Sequence, residues 1–322
     1  MAIEELQTLL ADDLAAVDQA IHELLDSDIP LIPLVGNYVI ESGGKRLRPM
    51  VMLAAARMFG YTGRRHHTLA AVIEFIHTAT LMHDDVVDDS QQRRTKPTAN
   101  AVWGAQAPVL VGDFLFARSF QAMVDDGEMR VLAILSGATR ELAEGEVLQL
   151  QNVHDPDVAE ADYLRVITAK TAILFEAAGR LAAIVSGRTA QEEECMAIYG
   201  HNLGVAFQLI DDCLDYSATA EAWGKQLGND LEEGKPTLPT IYALAHADKG
   251  ERDAIRRALE EEGVALLDPV RAAIERTRAI EYTVQAAQER VATAKEALAG
   301  LPDTEERRAL EAVADFVVTR EF

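Results

Sequence analysis

Three aspartates, Asp84, Asp85 and Asp88, close an apolar stretch, and Arg93 and Arg94 follow shortly after. On a helix of 3.6 residues per turn, Asp84 and Asp88 share a face and Asp85 lies about 100° round. Three carboxylates crowded at one helix end are costly unless a cation sits among them. Oxygen-only ligands suit Mg²⁺, which takes one or two carboxylates together with phosphate oxygens and water. The same DDxxD pattern returns once, as Asp211, Asp212 and Asp215 at the end of GVAFQLIDDCLDY.

Other residues fit a phosphate-bearing substrate. In GGKRLRP (43–49), Lys45, Arg46 and Arg48 follow a Gly–Gly pair and lead into a helix. Backbone N–H groups, helix dipole and side-chain charge all favour an anion there. Alone, such a basic turn is more often a solvated surface feature. His77 precedes Asp84 by seven residues and lies near the same face. Lys170 and Thr171 are polar islands in an apolar helix, where a snorkelling lysine is the bland reading. Gln208 lies three and four residues before Asp211 and Asp212, on the same polar face. Lys225 and Lys235 stand in a Gly-rich loop. Glu144 and Glu146 read as surface or capping groups.

The elements that must position these groups are helical. Apolar spacing predicts helices over 3–25, 66–88, 106–125, 128–151, 158–186 and 191–216, with further amphipathic helices through 240–322. No period-two stretch predicts a strand. Pro97, Pro156, Pro236, Pro239, Pro269 and Pro302 mark breaks. Connections are short and no linker or repeat interrupts them, so residues 1–322 read as one all-α domain.

Composition bounds the partners. The 322 residues carry a formal charge of −23 with only 30 Lys and Arg, which argues against nucleic acid and anionic lipid. Two cysteines, Cys195 and Cys213, offer no disulfide framework, so a reducing cytoplasm is expected. The acidic N-terminal segment does not read as a targeting peptide, and no uninterrupted apolar run is long enough for a membrane anchor.

Two carboxylate clusters sharing Mg²⁺ ions would grip a diphosphate and make it a good leaving group. If the attached carbon is allylic, its departure leaves a delocalised cation, which apolar helix walls protect from water. The chain also contains the blocks GGKRLRP, EFIHTATLMHDDVVDDSQQRR, GDFLFARSF, EGEVLQL, KTAILFEAA, FQLIDDCLDY and GNDLEEGKPTLP. Together they resemble the trans-polyprenyl diphosphate synthases, most of all the bacterial long-chain, octaprenyl type, over nearly the whole chain.

The resemblance implies an isoprenoid-synthase-type helical bundle around a central cavity. It implies that Lys45, Arg48, His77 and Arg94 bind isopentenyl diphosphate and that Arg93 binds the allylic diphosphate. Asp84, Asp85, Asp88, Asp211, Asp212 and Asp215 would hold Mg²⁺. Lys170, Thr171, Gln208, Lys225 and Lys235 would surround the allylic diphosphate and the developing cation, with Lys170, Thr171 and Gln208 closest to catalysis. It further implies a homodimer and a long-chain product, suited to a quinone side chain.

Chain length is expected to depend on Ala79 and Thr80, about one turn before Asp84, with Met123 on the next long helix as a floor or a packing residue. Small side chains there leave a tunnel open. The alternatives are a shorter-chain geranylgeranyl or farnesyl synthase and, from another class, a non-catalytic acidic protein that binds divalent cations. Pure cation binding needs no phosphate clamps, so Lys45, Arg48, Arg93 and Arg94 weigh against the second. A terpene cyclase would replace the second DDxxD.

Overall fold

The structure is a computed structural model that describes residues 2–42, 44–93, 96–217 and 227–319. Gly43, Arg94 and Lys225 lie outside the described residues. The chain divides into two compact units. The first comprises Met1–Thr139, Leu174–Gly200 and Ala297–Val313; the second comprises Arg140–Ile173, His201–Glu296 and Ala314–Phe322.

The first unit is built round the helix Arg65–Val87, which packs against Ala11–Leu25, Leu47–Met58 and Gln106–Asp126. Ile73, Phe75, Ile76, Ala79 and Met82 of this helix are completely buried. A helix apolar on most sides must be enclosed by others, and each large side chain removed from water contributes about 1.5–3 kcal/mol. Both ends are tied to Gln106–Asp126. At one end, Arg65 Nε and Nη2 donate to Asp126 Oδ1 and Oδ2 at 2.8 and 2.7 Å, a bidentate pair. At the other, His83 Nε2 lies 3.1 Å from the Val109 carbonyl. Gly112 permits this approach, since a Cβ there would fall 2.4 Å from His83 Nε2.

Gln106–Asp126 is long and apolar enough to cross a membrane by length and composition. Here it is a packing helix of the first unit, with Val111, Leu115 and Met123 buried.

The second unit centres on Tyr216, from the turn that ends the second aspartate motif, and on Leu231, Ile255, Leu259, Val270 and Ile274, from the short helices that follow it. Lys249–Arg257 begins with a capping box: Asp248 Oδ1 accepts from the Glu251 N–H, and Glu251 Oε2 accepts from the Asp248 N–H, both at 2.9 Å.

Four expectations change. The helix expected over 3–25 breaks at Leu10 into Ala2–Leu9 and Ala11–Leu25. The one expected over 158–186 is Glu160–Ile167, a π turn at Thr168–Ala172, and Ile173–Val185. Pro269 is not a break but lies in the first turn of Leu267–Thr277, where its missing N–H costs nothing. Two strands also exist, Gln92–Arg93 and Lys96–Pro97, antiparallel with Arg93 opposite Lys96. At two residues each they are too short to show a period.

Candidate active site

In the first unit, Asp84 and Asp85 lie in the last turn of Arg65–Val87 and Asp88 is its C-cap. Their environments differ. Asp85 is buried, whereas Asp84 is half-buried and Asp88 exposed. Arg93 donates to Asp85 Oδ1 through Nε at 2.9 Å and holds it through Nη2 at 2.8 Å. Burial raises the Asp85 pKa, Arg93 opposes the rise, and Asp84 and Asp88 add to it. The strand pair after the helix thus returns a cation to the aspartates, and the exposed flank of Arg93 stays available to an anion.

Arg48 lies in the first turn of Leu47–Met58, its guanidinium carbon 4.7 Å from the centre of the Phe175 ring. Its Nε is shielded from solvent and makes no hydrogen bond among the described residues. Desolvation lowers its pKa to about 10 against the pull of Glu74, so it remains a cation at neutral pH. An Arg stacked on an aromatic face with an unmet N–H is suited to an anion with several acceptor oxygens, such as a phosphate. Arg46 differs from its neighbour: it takes up a left-handed backbone conformation and pairs with Asp18. His77 and Lys45 are half-buried.

In the second unit, a hydrogen-bonded chain joins three elements. Thr171 Oγ1 donates to Gln208 Oε1 at 2.9 Å, Gln208 Nε2 to Asp212 Oδ1 at 2.7 Å, and Tyr163 Oη to Asp212 Oδ2 at 2.5 Å. Thr171 belongs to the π turn, Gln208 and Asp212 to Ala190–Leu214, and Tyr163 to Glu160–Ile167. Desolvation raises Asp212 to about 7, with Tyr163 and Gln208 opposing and Asp211 and Asp215 adding.

Ala190–Leu214 ends before Asp215, which lies in the following turn rather than on the helix face. Asp215 accepts from the N–H groups of Asn229 and Asp230 at 3.1 and 3.0 Å. Asp230 is a fourth carboxylate beside the motif. Its pKa is pushed well up by burial, then by Asp215 and Asp212, with Lys235 opposing. Lys235 itself pairs with Glu233 at 2.6 Å.

Lys170 lies in the π turn and bonds Glu146 and Gln149 of the helix Met129–Asn152. Single π turns recur at functional sites because the extra residue re-aims side chains. Gly145 allows the contact: a Cβ there would meet Ala169 Cβ at 2.7 Å and Lys170 N at 3.3 Å. The surface reading of Glu146 is therefore corrected, because Lys170 reaches it across elements. Glu144 remains on the surface, paired with Arg140.

The polyprenyl synthetase profile matches residues 30–276. The chain belongs to the polyprenyl synthetase family. It is 51% identical to the octaprenyl diphosphate synthase of Escherichia coli (strain K12), with 100% of both chains covered. The crystal structure of a decaprenyl diphosphate synthase from Rhodobacter capsulatus has a TM-score of 0.94 at 47% identity, covering 99% of this chain and 100% of that one. That of a polyprenyl synthase from Caulobacter crescentus CB15, complexed with calcium and isoprenyl diphosphate, also reaches 0.94, at 45% identity, covering 99% and 98%. The fold is the isoprenoid-synthase helical fold, and this polyprenyl synthetase is a trans-prenyltransferase.

Both motifs offer donors suited to Mg²⁺. Every donor is a carboxylate oxygen, and the buried Asp85, Asp212 and Asp215 are steadied by protein donors while Asp84 and Asp211 are partly exposed and Asp88 is exposed. Sequence reasoning missed Tyr163, Asp230 and Gln149. Asp230 and Gln149 carried a signal, since they lie within the blocks GNDLEEGKPTLP and EGEVLQL, whereas Tyr163 lies in none of the blocks.

Proposed function

We propose that this polyprenyl synthetase condenses isopentenyl diphosphate with an allylic diphosphate, head to tail, into a long-chain all-trans polyprenyl diphosphate of the octaprenyl type. The observation that carries the reading is a pair of intact DDxxD motifs, each with its buried aspartate held by protein donors, in a chain that aligns end to end with an octaprenyl diphosphate synthase.

Asp84, Asp88 and Asp211 are the accessible carboxylates and would ligate Mg²⁺; Asp85, Asp212 and Asp215 would complete the sets or hold them in place. Bound Mg²⁺ supplies charge neutralisation that makes the allylic diphosphate a leaving group. Arg93, Lys170, Lys225 and Lys235 would take phosphate oxygens of that substrate. Lys45, Arg48, His77 and Arg94 would hold isopentenyl diphosphate. Thr171 and Gln208 would present oxygen lone pairs to the developing allylic cation, and the hydrogen bond from Thr171 to Gln208 supports this by fixing which way the amide points. The isopentenyl double bond then attacks the cation, and a proton leaves stereospecifically, with the released diphosphate as base.

Further parts of the reading concern setting. A homodimer is supported by Leu110, Phe120 and Val124, large apolar side chains exposed on Gln106–Asp126. A cytoplasmic location fits the two free cysteines. Use of the product as a quinone side chain belongs to the same proposal.

The deciding experiment incubates the protein with Mg²⁺, labelled isopentenyl diphosphate and farnesyl diphosphate, then resolves the dephosphorylated products. A ladder ending near eight isoprene units is expected. A product that stops at four units would leave the chemistry and remove the long-chain assignment. No incorporation by folded protein with any allylic primer would favour a cation-binding protein.

A further inference from the structure

Outside the aspartate motifs, the first unit gathers a second set of ligating side chains. Asp13 comes from Ala11–Leu25, and His66 and His67 from the first turn of Arg65–Val87. One ligand atom from each lies within 4.8 Å of the other two. Asp13 Oδ1 is 2.7 Å from His67 Nε2 and 3.4 Å from His66 Nε2. The two imidazoles lie with ring centres 3.9 Å apart and planes 34° apart, which turns both Nε2 atoms to one carboxylate oxygen.

His66 is the telling member. It is only 3% exposed. Among the described residues its Nδ1 has no hydrogen-bond partner, and its Nε2 faces an oxygen that His67 already holds at shorter range. Tyr61 offers it only a ring edge, centre to centre 5.1 Å. A buried imidazole normally finds a better partner than this. Burial lowers the His66 pKa, with His67 adding to the fall and Asp13 opposing it, so the ring is neutral near pH 7, as a ligand must be.

Asp13 keeps its charge. Burial acts to raise its pKa, but His67, His66 and Arg57 outweigh that and the net shift is downward. Arg57 lies 3.3 Å from the other carboxylate oxygen, Oδ2, and is shared with Glu306 at 3.4 Å. Oδ1 is thus left to the two histidines while Arg57 orients the carboxylate, the arrangement of an outer-sphere partner.

We propose that Asp13, His66 and His67 form a binding site for a divalent transition-metal ion of the Zn²⁺ type, separate from the aspartate motifs. Two imidazoles and one carboxylate favour Zn²⁺ over Mg²⁺, which prefers oxygen donors alone. At bond lengths of about 2.0–2.1 Å, tetrahedral ligands stand about 3.3 Å apart. His66 already stands near that spacing from Asp13, and His67 must withdraw by roughly half an ångström. Asp13 and His67 are each partly exposed at 17–18%, so an ion can enter and solvent can fill its remaining position. The ion would tie the second helix of the chain to the start of the helix that carries the first DDxxD.

The test titrates the metal-stripped full chain with Zn²⁺ while excess Mg²⁺ occupies the aspartate motifs, and repeats it with Co²⁺ as a spectroscopic probe. One Zn²⁺ per chain is expected to bind, to raise the melting temperature, and to weaken at least ~10-fold in His67→Ala and Asp13→Asn. The double variant Asp84→Asn/Asp211→Asn should bind it unchanged, and prenyl transfer by His67→Ala should persist. Co²⁺ should give the visible absorption of a nitrogen-ligated ion of low coordination number. Zn²⁺ affinity unchanged in folded His67→Ala would overturn the proposal. So would a Co²⁺ spectrum of octahedral, oxygen-only type in the unaltered chain, a result that needs no variant to fold.

Discussion

Tyr163 donates its phenolic hydrogen to Asp212 at 2.5 Å, so a residue 49 positions away in the chain holds the middle carboxylate of the second aspartate motif. Gln208 takes the other oxygen of the same carboxylate at 2.7 Å. Removing the tyrosine hydroxyl leaves a buried carboxylate with one donor instead of two. A hydrogen bond to a charged group contributes about 1.5–3 kcal/mol, which corresponds to ~10- to 100-fold. Tyr163→Phe is therefore expected to raise the Mg²⁺ concentration needed for half-maximal activity by roughly tenfold or more. A Mg²⁺ titration of the initial rate checks it; an unchanged midpoint would show that Tyr163 only packs.

The buried carboxylates also give metal-free protein a characteristic pH dependence. Asp212 is raised from 3.8 to about 7, and Asp85 and Asp230 are raised as well. For each, the folded state binds more protons than the unfolded state between the two pKa values, so stability falls as pH rises through that interval. The melting temperature of metal-free protein should decline from about pH 4 to about pH 7, and Mg²⁺ should restore it most at the upper end. Asp212→Asn should flatten the decline. A melting temperature that instead climbed steadily over this range would contradict the assignment.

Gly145 should tolerate no β-carbon. Any side chain there meets Ala169 Cβ at 2.7 Å and Lys170 N at 3.3 Å, and backbone cannot yield as a flexible side-chain tip can. Gly145→Val is expected to shift the π turn and to cut kcat by ~10-fold or more. The stability loss should be about 1–3 kcal/mol, the usual range for overpacking. Steady-state kinetics beside a denaturant melt separates the two effects. A loss in stability with kcat intact would mean that the turn's placement does not matter to the reaction.

What the sequence discloses divides along physical lines. The aspartate motifs, the helix Arg65–Val87 and the helix Ala190–Leu214 were legible because their signals are local: charge against an apolar run, with helical spacing. The expected ends differ from the observed ones by one or two residues, the usual fraying of helix termini. Tyr163 was not legible because its role arises from a partner brought near only by folding. Glu146 was misread for the same reason, since an isolated glutamate on a helix looks like any surface charge until Lys170 arrives. The π turn left one trace, the polar pair Lys170–Thr171 inside an apolar helix, which spacing alone assigns to ordinary helix. The break at Leu10 left none, because Leu10 is itself apolar and fully buried.

Ala79 offers the sharpest test of product length. It is fully buried on Arg65–Val87, the helix that ends in the first aspartate motif, and Thr80 beside it spends its hydroxyl on the His77 carbonyl at 2.7 Å. On the proposed reading the first few isoprene units pass about one turn from the aspartates, and an aromatic ring at position 79 would obstruct that path. Ala79→Tyr is expected to shorten the product to roughly three or four units, with a stability cost of about 1–3 kcal/mol from overpacking. Met123, buried on Gln106–Asp126, would act farther from the chemistry, so Met123→Ala should lengthen the product only slightly. Chromatography of dephosphorylated products resolves both shifts. If Ala79→Tyr folds, keeps its rate with a short primer and still makes the full-length ladder, the growing chain passes elsewhere and position 79 has no part in setting its length.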